Sequence, residues 1–450
     1  MPETDSPLLQ SLREAFVGRQ LFLGGGALRD EVMGREGGDR DLATDARPDE
    51  ISSRIGDWAD AVWLAGERFG TVAMQWREEK AEITTFRSDS YDGVSRKPEV
   101  AFGDDLLTDL ARRDFTINAL ARNLHTGERL DPFGGQEDIA ERLVRFVGEP
   151  ARRITEDPLR MLRAVRFCAV LGFELDPLAA VGIAEHAREL RRISIERVRD
   201  ELDRLLLSDR PKEGVQLLLH LGLGEQILPE LTRLHLPEPG RHLMKDVLEH
   251  SLDTMRLVPA EKALRYAALL HDLCKPETFT NDENGVHFYR HDELGAARAR
   301  DLLVRLRQPL DFADAVAALV RDHLRVPYYT PEWTDSAVRR LMFDLGDHLD
   351  ANLTLADADV RASDPHDYAE FRARFDHLRR RLHDLAESEQ VVGMRSLLNG
   401  DEVMALLGIA PGPQVGVVLR YLLDQQLEGT ITTREAAEAA VQSEFGRAVE

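Results

Sequence analysis

Apolar positions in the first 150 residues fall in short alternating or continuous runs. QLFLGG (20–25), DRDLAT (39–44), DAVWLAG (60–66), GTVAMQW (70–76) and AEITTFR (81–87) read as strands, with helices over 27–35 and 48–57. Beyond about residue 151 the strand signals nearly vanish and the period becomes helical. DPLRMLRAVRFCAVLGF, ERVRDELDRLLL and EGVQLLLHLGL each carry apolar residues at helical spacing. LPELTRLHLPEPGR is proline-rich and marks a boundary. A second helical block runs from 243 to 325, VPYYTPEWTD punctuates it, and a charged helical tail continues to 450. The pattern predicts a small α/β head joined to a long helical body.

Length and composition narrow the class. A chain of 450 residues is too long for one hydrophobic core and suits three or four modest domains. Hydrophobic residues at 43% and charged residues at 31% are ordinary for a globular protein. No run of about 18 apolar residues occurs, so no membrane span is expected. The acidic, amphipathic start MPETDSPLLQSLREAF lacks signal-peptide features. Cys168 and Cys274 lie too far apart to form a disulfide framework. These points favour the cytoplasm.

A net charge of −23 argues against a nucleic-acid partner, yet the charge is uneven. Arginines recur densely from Arg142 to Arg204, including Arg191 and Arg192, and again in RARFDHLRRRLHD at 372–384. Such stripes bind phosphate; they serve equally as solvated helix faces with i,i+4 Glu–Arg pairs.

The chemistry concentrates in LFLGGGALRDEVMGREGGDRDLAT. It reads as a strand, a glycine turn at Gly25 and Gly26, a helix carrying Arg29, and a strand carrying Asp39 and Asp41. Residues i and i+2 of a strand share a face, so two like charges meet there. A divalent cation between them removes the repulsion; a pair of turn or N-capping aspartates is the alternative. Glycines ahead of a helix let backbone N–H groups approach phosphates, and Arg29 could pair with one. Glu82 on AEITTFR offers a third carboxylate. A glycine cradle with clustered carboxylates suits metal-assisted phosphoryl or nucleotidyl transfer. Farther on come DLARRDFTINAL with Arg112, Arg113, Asp114 and Asn118, then DPFGGQEDIAERLVR with Asp131, Gly134, Gly135 and Asp138. EDPLRMLRAVRF follows, with Asp157, Arg160 and Arg163. Asp157 and Arg160 are expected on one helix face, where an ordinary intrahelical salt bridge is the simplest reading.

In this order, the motifs resemble those of the class II tRNA nucleotidyltransferases, the CCA-adding enzymes and the bacterial poly(A) polymerases. The resemblance covers nearly the whole chain. EHSLD, LLHDLCKP and YRHDELGA look like an HD domain, and WTDSAVRR and LLNGDEVMALLGIAPGPQVG look like the C-terminal part of bacterial members. The resemblance implies an α+β fold with a small N-terminal nucleotidyltransferase head (1–150). A helical neck with base- and RNA-binding residues (151–232), an HD domain (233–330) and a helical tail (331–450) would follow.

It also implies roles. Asp39 and Asp41 would hold Mg²⁺ with Glu82 beside them, and Gly25, Gly26 and Arg29 would sit near the triphosphate. Arg112, Arg113, Asp114 and Asn118 would line the ribose and phosphates. Asp157 and Arg160 would act as an amino-acid template, with Arg163 nearby. Cytosine and adenine both present an exocyclic amine beside a bare ring nitrogen, which a carboxylate and a guanidinium complement. Uracil and guanine present the opposite pattern. The expected partners are the tRNA 3′ end, CTP and ATP, with Arg191 and Arg192 on the RNA-binding surface.

Leu28 stands where the family usually has Val, and Cys274 where the HD helix usually has Gly, a change expected to crowd an HD metal site. AGERFGTVAM replaces the basic signature typical of poly(A) polymerases, and residues 87–109 supply the loop that CC-adding members lack. Full CCA addition is therefore expected, with A-adding or poly(A) activity as the alternative. His250, His271, Asp272 and Asp322 follow an H…HD…D order that suits a second divalent metal and a phosphohydrolase, with His291 and His323 as further ligands. An inactive helical scaffold is the competing view of that block, and a non-enzymatic RNA-binding protein the competing view of the chain.

Overall fold

Leu21, Phe22 and Leu23 present apolar side chains to both faces of the first strand, and burial on both faces makes that strand internal. In this computed structural model, which describes residues 6–35, 40–64, 66, 70–90, 99–103, 105–235, 246–283, 285–363, 365–388 and 394–446, the head strands follow in chain order. They are β1 (Leu21–Gly24), β2 (Arg40–Thr44), β3 (Ala61–Trp63), β4 (Thr71–Trp76), β5 (Glu79–Thr85), β6 (Arg87–Ser90), β7 (Glu99–Phe102), β8 (Ala121–Asn123) and β9 (Arg129–Leu130). Seven of them form one mixed sheet of order β3-β4-β5-β2-β1-β8-β9. Pairing is antiparallel except between β2 and β5, which run parallel.

Strand alternation sorts the two faces. Leu21, Leu23, Leu42, Val72, Met74 and Ile83 pack under two N-terminal helices. These are α1 (Pro7–Ala15), capped by the Ser6 hydroxyl, and α3 (Pro48–Ile55), which starts on a proline at N1. Between them in sequence, α2 (Gly25–Val32) leaves the end of β1. The opposite face holds Phe22, Ala43, Phe86 and Ala121 against Leu106 and Leu110 of α4 (Leu106–Ala111). Residues 87–109, expected as a loop, include regular elements: β6 and β7 form a separate antiparallel ribbon, and α4 follows. The positions between the two strands lie outside the described residues.

The chain divides into two compact units, Met1–Ile227 and Leu228–Glu450. After the sheet, the first unit continues through α5 (Gly135–Glu141), α6 (Pro150–Glu156), α7 (Leu159–Leu171), α8 (Pro177–His186), α9 (Ile195–Leu206), α10 (Pro211–His220) and α11 (Gly224–Ile227). A two-residue parallel pairing of β10 (Leu143–Val144) with β11 (Glu174–Leu175) is its only strand pairing among the described residues after the head sheet. The second unit comprises α12 (Val247–Leu257), α13 (Lys262–Leu270), α14 (Lys275–Thr278), α15 (His291–Arg305), α16 (Leu310–Asp322), α17 (Asp335–Leu345), α18 (Leu349–Ser363), α19 (Pro365–Ser388), α20 (Gly400–Leu407), α21 (Pro413–Leu427) and α22 (Arg434–Phe445). A hairpin, β12 (Phe279–Asp282) with β13 (Gly285–Phe288), interrupts the helical body and was not anticipated from its sequence. Both cysteines are buried and unpaired, and burial pushes the Cys168 thiol up to about 12 and the Cys274 thiol up to about 11. No described helix is long and apolar enough to cross a membrane.

The face assignment sets an expected outcome. Leu23→Ala empties a fully buried position and should cost the head about 2–5 kcal/mol, whereas exposed Val17→Ala should change stability by less than ~0.5 kcal/mol. Urea unfolding followed through the fluorescence of Trp58, Trp63 and Trp76 measures both.

Candidate functional site

The parallel register pairs Asp41 with Glu82 and Leu42 with Ile83. Leu42 and Ile83 point into the core under α1 and α3, so Asp41 and Glu82 share the other face. Both line a cavity of about 570 Å³ in the first unit. The N-terminus of α2 opens on the same cavity. Gly25 there has φ +64°, and a Cβ on it would stand 3.0 Å from Asp41 Oδ2 and 3.3 Å from Arg113 Nη1. Glycine is therefore required both for the backbone angle and for the close approach of α2 to the carboxylate. Gly26 also lines the cavity. Asp39 lies outside the described residues.

The expected arginines and their partners converge on this cavity. Eight arginines line it against five carboxylates. Arg29 Nη1 donates to Asn118 Oδ1 at 2.8 Å, and the Asn118 amide donates to Asp114 Oδ1 at 3.0 Å. Arg163 Nε donates to the other Asp114 oxygen at 2.7 Å. Burial alone would raise the Asp114 pKa, but the Arg163 charge and these hydrogen bonds hold it below the usual carboxylate range. The same opposition lowers Asp109, buried against Arg112 and Arg113. Phe167 lies under three guanidinium groups, those of Arg29, Arg163 and Arg166.

Asp157 and Arg160 both line the cavity but do not share a helix face. Asp157 is the C-cap of α6 in an extended conformation, because Pro158 follows it and disfavours helical backbone there. Its Oδ1 accepts from Leu159 N, and its Oδ2 pairs with Arg197 at 2.8 Å. Arg160 pairs with Glu156 at 2.9 Å and donates to the carbonyls of Arg153 and Arg112. The intrahelical Asp157–Arg160 salt bridge is thus replaced by two separate partnerships. Arg87, Asp109, Arg166, Phe167 and Arg197 also line the cavity and were not singled out from sequence. Arg197 lies on α9, two helices beyond the α7 that carries the rest of the motif, so no local spacing could reveal it. Arg191 and Arg192 are exposed, the first bonded to Gln226 and the second paired with Glu189.

The second unit holds a cluster of buried imidazoles. His250, His271 and Asp272 form one potential ligand triad, and Asp272, His291 and His323 form another. Asp322 is not part of it: its carboxylate is held by Arg321. A further carboxylate, Asp359 on α18, stands beside the first triad, 2.9 Å from His250 Nε2. Its distance in sequence from the HD pair concealed it, whereas Asp322 stood beside His323. Cys274 does not crowd the cluster; it lines a separate cavity with Glu230, Glu277 and Arg298. Burial opposes charge on His271, yet Asp272 and then Asp359 outweigh it and push the group up to about 10. Burial and the neighbouring His271 charge bring His323 down to about 4, leaving a neutral ring suited to ligation. Asp272, fully buried, is met at Oδ2 by Lys275 Nζ at 2.8 Å and by His271 Nε2 at 3.1 Å.

Comparison with known proteins agrees with this geometry. Residues 21–145 match the Poly A polymerase head domain, 172–234 a probable RNA and SrmB-binding site of polymerase A, and 247–364 the HD domain. A CCA-adding enzyme of Bacillus subtilis is 42% identical over 49% of this chain and 54% of its own length. The solved Bacillus stearothermophilus CCA-adding enzyme in complex with CTP superposes with a TM-score of 0.69 at 26% identity, covering 98% of each chain. An A-adding tRNA nucleotidyltransferase of Deinococcus radiodurans is 36% identical over 93% of this chain and 94% of its own, and on that match the chain belongs to the tRNA nucleotidyltransferase family, with a poly(A)-polymerase-type head and an HD domain.

Proposed function

We propose that the chain adds CCA to the 3′ end of tRNA, using CTP and ATP and releasing pyrophosphate. The observation that carries this reading is the Asp41–Glu82 register pair, which opens onto an arginine-lined cavity containing Asp157 and Arg160. The carboxylates form a hard oxygen donor set that fits Mg²⁺. Asp39, Asp41 and Glu82 would hold that ion, which lowers the barrier by acidifying the primer hydroxyl and neutralising triphosphate charge. Gly25 and Gly26 bring backbone N–H groups of α2 to the phosphates. Arg29, Arg112, Arg113 and Arg163 supply the opposing charge, and Asp114 and Asn118 act through the arginines that they orient.

Base selection falls to Asp157 and Arg160. Asp157 accepts from the exocyclic amine of cytosine or adenine, and Arg160 donates to the adjacent ring nitrogen. Uracil and guanine set acceptor against acceptor and donor against donor. A-only addition is the second reading, favoured by the near-complete coverage of the Deinococcus relative.

One assay separates the two. Transfer RNAs ending before CCA, after C and after CC are incubated with each single NTP and Mg²⁺. CCA addition extends the first two with CTP and the third with ATP, and A-only addition extends only the third. Asp41→Ala should reduce every incorporation by about 10²–10³-fold with an unchanged circular dichroism spectrum. Near-normal rates would refute the metal assignment.

Asp157→Ala tests the template. Loss of a hydrogen bond to a charged group costs about 1.5–3 kcal/mol, or roughly 10- to 100-fold in kcat/KM for CTP and ATP. Discrimination against UTP and GTP should narrow at the same time. Arg197→Ala, which removes only the partner of Asp157, should leave selectivity intact. Single-turnover incorporation of all four NTPs decides, and unaltered selectivity in Asp157→Ala moves base reading elsewhere.

We place tRNA phosphate contacts on the arginine-rich segment that includes Arg191 and Arg192. Replacing both by glutamate should weaken tRNA binding and lower the slope of log Kd against log salt by about one per lost contact. Filter binding across a salt series measures it, and an unchanged slope excludes these two residues from the interface.

A further inference from the structure

Phe167 sits where packing alone does not account for its neighbours. It lies on α7, 6% exposed, in the wall of the arginine-lined cavity. The guanidinium carbons of Arg166, Arg29 and Arg163 stand 4.2, 5.2 and 5.5 Å from its ring centroid. A single cation within about 6 Å of an aromatic centroid already gains attraction from the ring quadrupole. Here three cations from two helices, α2 and α7, share one ring. Phe115 meets that ring at 79° with centroids 5.5 Å apart, and Phe146 lies 5.0 Å from Phe115. Phe115 and Phe146 are buried, so neighbouring rings hold Phe167 in place.

The three arginines also have carboxylate partners: Asp30 for Arg29, Asp114 for Arg163 and Glu201 for Arg166. A carboxylate orients a guanidinium by accepting its N–H groups and cancelling its charge. A phenyl ring does neither, since it offers no lone pair and carries no net charge. An arginine steadied by the ring therefore keeps donors and positive charge for another anion. The local balance is on the positive side: burial and then the Arg163 charge lower the Arg166 pKa although Glu201 opposes them. Oriented cations that have not been neutralised are what a triphosphate site requires.

We infer that Phe167 is a positioning residue for triphosphate binding: its ring aims Arg29, Arg163 and Arg166 at the phosphates without cancelling their charge. The inference rests on the nucleotide addition proposed above and adds Phe167 and Arg166 to it. Guanidinium groups aimed beforehand lose little freedom when the anion arrives. The ring therefore acts on nucleotide affinity rather than on the chemical step. CTP and ATP share the triphosphate, so the effect is equal for both and leaves base selection by Asp157 and Arg160 unchanged.

Fluorination tests the electrostatics of the ring apart from its packing. Placed at Phe167 in the full chain, phenylalanines with one, two or three ring fluorines keep the shape and apolar character of the side chain while draining the negative face of the ring. KM for CTP and for ATP should rise stepwise, reaching about 10-fold with three fluorines, while kcat moves by about twofold or less. Inhibition by inorganic tripolyphosphate should weaken in step with KM. Phe167→Tyr, which keeps an electron-rich ring, should hold KM near the wild-type value. A ring that serves packing alone predicts another pattern, with KM flat across the series and thermal unfolding the only quantity to move; that result overturns the inference. A rise confined to one of the two nucleotides overturns it as well, because the phosphates are common to both. Arg163→Met separates this inference from the reading beneath it. If KM does not rise in Arg163→Met, the triphosphate assignment fails and the role of Phe167 with it. If KM rises there but not in the fluorinated series, the role of Phe167 alone is excluded.

Discussion

The parallel pairing of β2 with β5 is the constraint on which the head depends. It puts Leu42 beside Ile83 in the core and Asp41 beside Glu82 over the cavity. Because side chains alternate with period two, a slip of one residue in either strand would bury its carboxylate, expose its aliphatic and part Asp41 from Glu82. The core under α1 and α3 therefore fixes the chemistry indirectly: the energy that buries Leu42 and Ile83 also holds two negative charges side by side. The close passage of α2 at Gly25 extends the same arrangement, since the helix end and the strand carboxylate meet where no side chain would fit.

Charge is partitioned rather than averaged. The chain is acidic overall, yet the cavity walls carry more arginines than carboxylates. Most of these arginines have assigned acidic or carbonyl partners, which orient them before any substrate arrives. Glu201, buried on α9, pairs with Arg166 and lies within 3.8 Å of Arg163, so α9 steadies the arginine face of α7 from behind. Orientation of this kind matters because a guanidinium aimed in advance need not lose its side-chain freedom when the phosphate binds.

Much of this was legible in the sequence because the head motifs are local. The glycine turn, Asp41 on β2 and the strand carrying Glu82 each announce themselves within a few residues, and their register follows from alternation. What was not legible depends on tertiary geometry. Pro158 turned Asp157 from a helical residue into a cap, a local signal that helical periodicity overrode. Arg197 reaches Asp157 from another helix. Asp359 joins the imidazoles from α18, while Asp322, closer in sequence, is turned aside by Arg321. The β12–β13 hairpin lies in a polar stretch with weak strand alternation, and pairing rather than propensity makes it a ribbon.

The imidazole latches carry a consequence for how the cluster comes together. His271, His291 and His323 each bond the carbonyl three residues before them, so each ring is fastened to its own stretch of backbone. Ring orientation is thus a short-range property, established as soon as the local turn forms. Only the gathering of those turns, and of Asp359 with them, requires contacts distant in sequence. The rotational entropy of the three rings is given up during folding, and an arriving cation has little ordering left to impose. The cluster of imidazoles is in that sense a product of helix ends.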